Sequence, residues 1–312
     1  MLEDMELRVI YCEELMKLAA KNDKIVTVDA DLARAGGLMP FKKEYPARAF
    51  DVGVAEANMV GVAAGLAAMG KIPFVHTFTP FMTRRCFDQL TVSVMYAGLN
   101  VKIVGSDPGV SAEVNGGTHM SFDDVNMMRG IPGISIVEPV DSAAMKSLLP
   151  QIAEHDKSVY LRFFRKKADK IYDDGVQLKM GKGNVVKDGK DCAVIASGIM
   201  VYESLIAADM LEKDGISLRV IDMHTVKPLD TDIITKAAND CGAILTAENH
   251  SIIGGLGSAT AEFIAESGLN VKFKRIGVLD RYGEVGFRPY LQEALKLTAN
   301  DIAENVKLLL KN

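Results

Sequence analysis

The sequence contains no tryptophan and only four cysteines, and both scarcities limit what the protein can be. The cysteines are far apart and form no close pair of the kind found in zinc or redox motifs: Cys12, Cys86, Cys192 and Cys241. Scattered cysteines are typical of a reducing compartment, so we expect a cytoplasmic protein. The first residues are acidic and lack the charged-then-apolar layout of a secretory signal.

A strong excess of charge and long apolar runs are missing as well. The net charge of −5 gives no basic surface, so we do not expect nucleic acid as a partner. No apolar run approaches the roughly 20 residues needed to cross a bilayer, so we do not expect a membrane partner either. Apolar residues make up 48% of the 312 residues, which suits a globular protein of about two domains.

The main pattern in the sequence is an alternation of strand-like and helix-like segments. Short apolar or β-branched runs, such as 25–28 and 101–104, are separated by helical patterns of about ten or more residues. This alternation predicts an α/β protein with two three-layer domains, each built on a parallel sheet. Residues 169–190 are rich in lysine, aspartate and glycine and predict an exposed linker between domains at 1–168 and 191–312.

The segment from Phe50 to Gly70 is the most unusual part of the chain. From Ala57 onward it carries no charge, and small residues dominate it. We predict a short strand followed by a helix, with Glu56 at the junction. Two interpretations of Glu56 remain open at this point. Its carboxylate either only stabilises the positive end of the helix dipole, or lies in an apolar wall where it is suited to proton transfer.

Several polar and aromatic side chains follow predicted strands of the first domain. In open parallel sheets, ligands bind outside the carboxyl ends of the strands. We therefore expect Asp31, Glu56, Phe78 and the loop 106–119 to lie at one edge of the sheet. That loop ends in His119, a residue type suited to proton transfer or anion binding near neutral pH.

The order and spacing of these short motifs resemble those of a known family. The sequence resembles the C-terminal half of transketolases over nearly the whole chain. In the first domain the matching segments are Val28-Asp29-Ala30-Asp31-Leu32, Gly53-Val54-Ala55-Glu56-Ala57-Asn58-Met59, Thr77-Phe78 with Phe81, Gly117-Thr118-His119 and Glu138-Pro139-Val140-Asp141. In the second domain they are Glu248-Asn249-His250 and Gly254-Gly255-Leu256-Gly257.

The resemblance implies thiamine diphosphate as cofactor and Glu56 and His119 as catalytic residues. The family's glutamate hydrogen-bonds a ring nitrogen of the aminopyrimidine, which lets the cofactor's own amino group deprotonate the thiazolium. A carboxyl kept protonated by apolar surroundings could donate that bond. By the same resemblance Phe78 and Phe81 line the aminopyrimidine pocket, with Phe81 stacking on the ring. Asp31 and Leu32 are then expected near the cofactor.

The substrate residues also follow from the resemblance. His119 corresponds to a histidine that contacts the donor sugar, and Asn115 lies in the same loop. Arg8 and Arg165 resemble the arginines that bind a sugar phosphate, a task suited to a planar bidentate donor. The sequence departs from the family in having Asn115 in place of Asp, Gly117 in place of Pro, and Ala35 where a phosphate-binding Ser is common.

The part of a transketolase that holds the diphosphate and its Mg²⁺ is not recognisable. The Gly-Asp-Gly motif of that part does not occur in the sequence. We therefore expect no metal ligands on this chain, with Mg²⁺ and the diphosphate bound by an N-terminal partner subunit. The expected assembly is a heterotetramer in which two copies of this chain form a homodimer. It would transfer a two-carbon ketol unit from a ketose or ketose phosphate to an aldose or aldose phosphate.

Two alternatives stay open. The segment Phe87-Asp88-Gln89 favours another thiamine diphosphate enzyme, either the beta subunit of a 2-oxo acid dehydrogenase or a protein similar to deoxyxylulose-phosphate synthase. The other alternative is a non-catalytic α/β binding module. In such a module Glu56 would have no reason to lie beside aromatic side chains.

Overall fold

Strands and helices alternate along the whole chain, as the sequence predicts. The structure is a computed structural model, and it describes residues 2–311. The chain divides into two units. The first consists of the residues up to Pro108 together with Met127–Met180, and the second of Gly109–Asn126 together with the residues from Gly181 onward. The domain limits predicted from the sequence, 1–168 and 191–312, stay predictions.

The first unit is built on a parallel sheet. Its strands are β1 (Ile25–Asp29), β2 (Ala49–Asp51), β3 (Ile72–Phe78), β4 (Lys102–Ser106), β5 (Ser135–Val137) and β6 (Val159–Phe163). They pair in parallel in the order β5-β6-β4-β3-β1-β2. Every residue of β1, β4 and β6 is buried, which is expected for parallel strands covered by helices on both faces.

The helices of the first unit largely follow the predicted pattern, with one break. They span Leu7–Lys21, Met39–Glu44, Glu56–Ala68, Thr79–Thr83, Phe87–Gln89, Leu90–Tyr96 and Ser142–Glu154. The sequence predicts one helix over 81–96, but the chain interrupts it after Thr83 and winds Leu90–Tyr96 as a π-helix. A further short helix spans Asp124–Arg129.

The second unit is a smaller α/β sheet with one antiparallel edge. Its strands are β7 (Asn184–Lys187), β8 (Cys192–Ala196), β9 (Leu218–Asp222), β10 (Thr225–Lys227), β11 (Ala243–Ser251) and β12 (Lys272–Val278). One sheet runs in the order β12-β11-β8-β9-β7, and only the β7–β9 pairing in it is antiparallel. The predicted fold class is confirmed. The sequence did not reveal β7, because this edge strand of 4 residues lies within a segment rich in lysine, aspartate and glycine.

Helices cover the second sheet as well. They span Met200–Glu212, Thr231–Cys241, Leu256–Ser267, Arg288–Ala294 and Ala299–Lys311. Across residues 2–311, the structure contains no helix that is both long and apolar enough to cross a membrane.

The first sheet determines where the polar side chains lie. Because its strands are parallel, the loops that follow β1, β2, β3, β4 and β6 all start at the same edge. Asp31, Glu56, Phe78, Asp107 and Arg165 come within a few residues of those strand ends. A ligand site is therefore expected at the carboxyl edge of the first sheet.

Candidate functional site

Glu56 begins the helix Glu56–Ala68, which we call the Glu56 helix. The side chain lies at the positive end of the helix dipole and is only 5% exposed. Its Oε1 accepts a hydrogen bond of 2.8 Å from Nη1 of Arg85. The two groups form an ion pair between a nearly buried carboxylate and a half-exposed guanidinium.

The same guanidinium stacks on an aromatic ring. Its Cζ atom lies 3.8 Å from the centroid of Phe81. Arg85 follows Phe81 by four residues across the end of a helical turn, so both side chains project from one face. The rings of Phe78 and Phe81 have centroids 6.2 Å apart and are tilted by 54°. A carboxylate, two aromatic rings and a planar cation therefore meet beyond the end of β3.

Two further arginines converge on one backbone carbonyl at this edge. Arg8 donates from Nη1 to the carbonyl oxygen of Ala35 at 2.9 Å, and Arg165 donates to the same oxygen at 3.4 Å. Arg8 is also paired with Glu6 at 2.6 Å. The guanidinium of Arg165 lies 4.8 Å from the centroid of Phe78. The two arginines expected from the sequence are thus close together and share a polar partner.

Asp107 holds Arg165 in place. Its carboxylate forms an ion pair with the guanidinium and accepts a hydrogen bond of 3.1 Å from the backbone N–H of Arg165. Asp107 is buried and has a backbone φ of 55°, in the left-handed region. Burial raises the pKa of Asp107 to about 6, although the positive charge of Arg165 opposes that rise. Sequence reasoning did not identify this residue.

A buried aspartate shapes the turn that carries Asp31 and Leu32. Oδ1 of Asp29 accepts hydrogen bonds of 3.0 Å from the backbone N–H groups of Leu32 and Ala33. The N–H of Asp31 donates to Asp51, and Asp31 itself has a φ of 60°. Burial raises the pKa of Asp29, and the nearby Asp51 adds to the rise. The turn is therefore held by carboxylates from the ends of β1 and β2.

His76 lies in the core directly before this edge. Neither ring nitrogen has a hydrogen-bond partner, and the ring packs against those of Tyr11 and Phe163. Burial lowers the pKa of His76 to about 3, and the charge of Arg165 acts in the same direction. A Cβ atom on Gly36 would come within 2.5 Å of the imidazole. A residue larger than glycine does not fit at position 36, because the ring of His76 occupies the space of its side chain.

The motif Glu138–Asp141 has a structural role. Glu138 forms a buried ion pair of 2.8 Å with Arg162. Asp141 caps the helix Ser142–Glu154 by accepting a hydrogen bond of 2.8 Å from the N–H of Ala144. It also accepts bonds from two backbone N–H groups at residues 171 and 172. These contacts account for the motif without a ligand.

Asn115 and His119 belong to the second unit. Asn115 is exposed and His119 is partly exposed, with its Nδ1 3.1 Å from Oγ1 of Thr118. A Cβ atom on Gly117 would lie 2.3 Å from the carbonyl oxygen of Gly283. No other residue fits at that position without moving the backbone. The departure from proline at 117 therefore matches the close approach of this loop to Gly283.

The Glu248-Asn249-His250 motif holds the start of the same segment. Asn249 accepts a hydrogen bond of 3.0 Å from the N–H of Val110. His250 accepts a bond of 3.4 Å from the N–H of Asn126, while its Nδ1 lies 2.7 Å from the carbonyl oxygen of Ser251. These two distances are consistent with a neutral imidazole that carries its proton on Nδ1. The motif thus anchors both ends of the segment that carries His119.

Glu248 caps the glycine-rich turn of the second unit. Its carboxylate accepts hydrogen bonds of 2.7 Å and 2.9 Å from the backbone N–H groups of Leu256 and Gly257. A Cβ atom on Gly255 would lie 1.9 Å from Oε2 of Glu248. The absence of side chains on these glycines leaves room for the Glu248 carboxylate at the start of the helix Leu256–Ser267. A phosphate group would otherwise be the expected ligand at such a helix start.

The comparisons with known proteins agree with the resemblance seen in the sequence. Residues 3–170 match the family model of the transketolase pyrimidine-binding domain, and residues 181–302 match that of the transketolase C-terminal domain. The chain belongs to the transketolase family.

Individual relatives within the transketolase family cover almost the whole chain. The 6-deoxy-6-sulfo-D-fructose transketolase subunit SqwH of Clostridium sp. (strain MSTE9) is 52% identical over 301 residues, covering 96% of this chain and 93% of that protein. A putative transketolase C-terminal section of Methanocaldococcus jannaschii is 39% identical over 302 residues, covering 96% and 95%. A solved structure described as a split gene transketolase, inactive beta4 tetramer, matches with a TM-score of 0.91 at 38% identity, covering 98% and 99%.

The transketolase resemblance and the fold are thus confirmed, whereas the roles of single residues stay predictions. The structure brings Glu56, Phe78 and Phe81 together, and it brings Arg8 and Arg165 together. Arg85 was missed by sequence reasoning, although its spacing of four residues from Phe81 was visible. Within residues 2–311 there is no group of three or more His, Cys, Asp or Glu side chains arranged to hold a metal ion.

Proposed function

We propose that the chain is the C-terminal subunit of a thiamine diphosphate-dependent transketolase. In this function it transfers a two-carbon ketol unit from a ketose or ketose phosphate to an aldose or aldose phosphate. The observation that carries the proposal is the position of Glu56. A nearly buried carboxylate at a helix start lies within one cluster with the aromatic rings of Phe78 and Phe81. A binding module without catalysis has no need of that combination.

The chemistry of this cluster fits the aminopyrimidine of thiamine diphosphate. A flat heteroaromatic ring suits the face of Phe81, with Phe78 lining the pocket. The carboxyl group of Glu56 suits a basic ring nitrogen. Asp31 and Leu32, on the turn after β1, are proposed to lie near the cofactor. When bound, the cofactor supplies a nucleophilic carbanion that accepts the ketol unit.

Glu56 is proposed to hold a proton against the ring nitrogen. Donating that hydrogen bond requires the protonated carboxyl, whereas the ion pair with Arg85 uses the carboxylate. The contact with Arg85 and the contact with the ring nitrogen therefore use different forms of the same carboxyl group. His119 is the second proposed catalytic residue. It would contact the donor sugar together with Asn115.

The pair of arginines supports an anionic sugar as substrate. Arg8 and Arg165 both donate to one carbonyl oxygen, that of Ala35. Their fork-shaped donors suit a terminal phosphate or sulfonate, which share three acceptor oxygens. Ala35 has no hydroxyl to donate to such an anion, and its backbone carbonyl oxygen instead accepts from the two arginines.

We also propose that the chain acts with an N-terminal partner in the cytoplasm. The partner would bind the diphosphate and Mg²⁺, and two copies of this chain would form a homodimer within a heterotetramer. One relative is named a transketolase subunit, and one solved structure is described as inactive beta4 tetramer. One face of the Glu56 helix is exposed and uncharged, and it supports packing against another chain. Its residues include Ala57, Gly61, Gly65 and Ala68.

Calorimetry with thiamine diphosphate and Mg²⁺ tests the proposal. The chain is measured alone and as a co-purified complex with the protein of the neighbouring gene. We expect binding only by the complex, together with ketol transfer from xylulose 5-phosphate. Decarboxylation of pyruvate without ketol transfer would instead identify another thiamine diphosphate enzyme. No binding by either sample would contradict the proposal.

A further inference from the structure

Arg85 occupies both contacts that the proposed function assigns to the aminopyrimidine. Its Nη1 donates to Glu56 at 2.8 Å, and its guanidinium lies 3.8 Å from the centroid of Phe81. A guanidinium is flat and delocalised, and it stacks on aromatic faces while donating in its own plane. We propose that Arg85 stands in for the aminopyrimidine in the cofactor-free subunit and competes with the cofactor for Glu56 and Phe81. This inference rests on the proposed function.

The competition follows from geometry. The guanidinium of Arg85 lies over one face of the Phe81 ring, and from that position it also donates to Glu56. A cofactor ring that stacks on that side and reaches Glu56 meets Arg85. The two contacts also need different forms of Glu56. The ion pair with Arg85 uses the carboxylate, whereas the hydrogen bond to the ring nitrogen uses the protonated carboxyl. Arg85 therefore has to leave before the cofactor is fully bound.

Arg85 is free to move, whereas the other stacked arginine is not. The side chain of Arg85 is 50% exposed and follows the short helix Thr79–Thr83, where the helical path is interrupted. Arg165 also lies over a phenylalanine, but its side chain is 16% exposed and Asp107 holds both its guanidinium and its backbone N–H. A half-exposed ion pair with a cation–π contact contributes modest stability, so the cofactor can displace Arg85 at a cost of about tenfold in affinity.

The experiment uses the complex with the N-terminal partner, stripped of cofactor. Thiamine diphosphate is titrated in the presence of Mg²⁺ by calorimetry into the wild type, Arg85→Ala, Arg85→Gln and the control Arg84→Ala. Gln keeps a polar side chain without the guanidinium, and this variant guards against a folding defect of the Ala variant. We expect both Arg85 variants to bind about tenfold more tightly than the wild type, since the competing contacts are removed. The control, which removes a neighbouring exposed guanidinium, is expected to match the wild type.

Thermal unfolding gives a second measurement that does not depend on activity. A competing contact stabilises only the cofactor-free complex, so the Arg85 variants are expected to have a lower Tm without cofactor and an unchanged Tm at saturation. Equal losses of Tm in both states would identify a merely structural residue and overturn the inference. Affinities equal to or weaker than wild type in both variants would also overturn it and leave the proposed function standing. Absence of binding by the wild-type complex would overturn both.

Discussion

Asp107 fixes Arg165 through its guanidinium and through its backbone N–H, and the fixed guanidinium lies over the ring of Phe78. This buried carboxylate thereby connects the end of β4 with the end of β6. It also positions one of the two arginines proposed to bind the substrate anion. Asp107 is thus a positioning residue, and its effect is expected in substrate binding.

The pKa of Asp107 predicts how substrate binding depends on pH. Burial raises this pKa to about 6. Above pH 6 the carboxylate holds Arg165 by charge, and below it the protonated form keeps only hydrogen bonds. We expect KM for a sugar phosphate to rise as pH falls through about 6, and to rise about tenfold at neutral pH in Asp107→Asn. The substrate phosphate titrates in the same way with both proteins, so its effect is absent from the ratio of the wild-type KM to the Asp107→Asn KM at each pH. A ratio independent of pH would contradict this role.

Glu56 is expected to be needed for the reaction and not for assembly. Replacing it by Gln removes the acid, and replacing it by Ala removes the hydrogen bond altogether. We expect kcat to fall by about 10²–10⁴-fold in both variants, the usual contribution of a proton-transfer group. Native mass spectrometry is expected to show an unchanged complex with the partner. The exposed Glu13, changed to Gln, is the control, and wild-type rates in Glu56→Ala would refute the assignment.

His76 predicts a loss of stability in acid. Its pKa is lowered to about 3 in the folded chain, against an ordinary value near 6.5, mainly by burial. Between those values the unfolded chain binds a proton that the folded chain does not. The contribution of neutral His76 to the unfolding free energy is therefore complete above pH 6.5. It is lost as the pH falls towards 3, by up to about 1.4 kcal/mol per pH unit. Urea unfolding of wild type and His76→Phe across this range measures it, and parallel pH curves would contradict it.

Two glycine-to-alanine changes are expected to have opposite effects on the unfolding free energy of the chain. In Gly36→Ala the new Cβ would meet the His76 ring at 2.5 Å, and the ring is backed by other aromatic side chains. We expect a loss of about 1–3 kcal/mol from overpacking. In Gly61→Ala nothing lies within 4 Å of the new Cβ, and the residue is inside a helix. We expect a gain of about 0.5–1 kcal/mol, and a loss would show that the helix is constrained there.

The exposed face of the Glu56 helix is expected to be an interface. In Gly61→Glu the chain has room for the new side chain, so its own fold is expected to persist by circular dichroism. A charge on a face that packs against another chain is expected to reduce the assembled mass measured by light scattering. Asn300→Glu, at an exposed position of the helix Ala299–Lys311, is the control. An unchanged mass in Gly61→Glu would place the interface elsewhere.

Much of the fold was predictable because it depends on local patterns. Buried parallel strands such as β1 and β6 are continuous apolar runs, and the Glu56 helix has an unmistakable composition. The edge strand β7 was not predictable, because it has only 4 residues and lies within a segment rich in lysine, aspartate and glycine. Neither was the break after Thr83, which no proline or glycine marks.

The candidate site was predictable only in part. Residues placed directly after strands, such as Phe78, were found because strand ends define an edge of the sheet. Asp107 and Arg85 were missed because their roles depend on side-chain partners 58 and 29 positions away along the chain. Sequence spacing holds no information on such pairs without the tertiary structure.

Glu248 gives the glycine-rich turn of the second unit a permanently tethered ligand. The two N–H groups at the start of the helix Leu256–Ser267 bind a carboxylate that belongs to the same chain. Its effective concentration is set by nine residues of backbone and never by the surrounding solution. A free phosphate or nucleotide therefore has to compete with a carboxylate that is always present beside these N–H groups, which makes the turn a poor binding site for small anions.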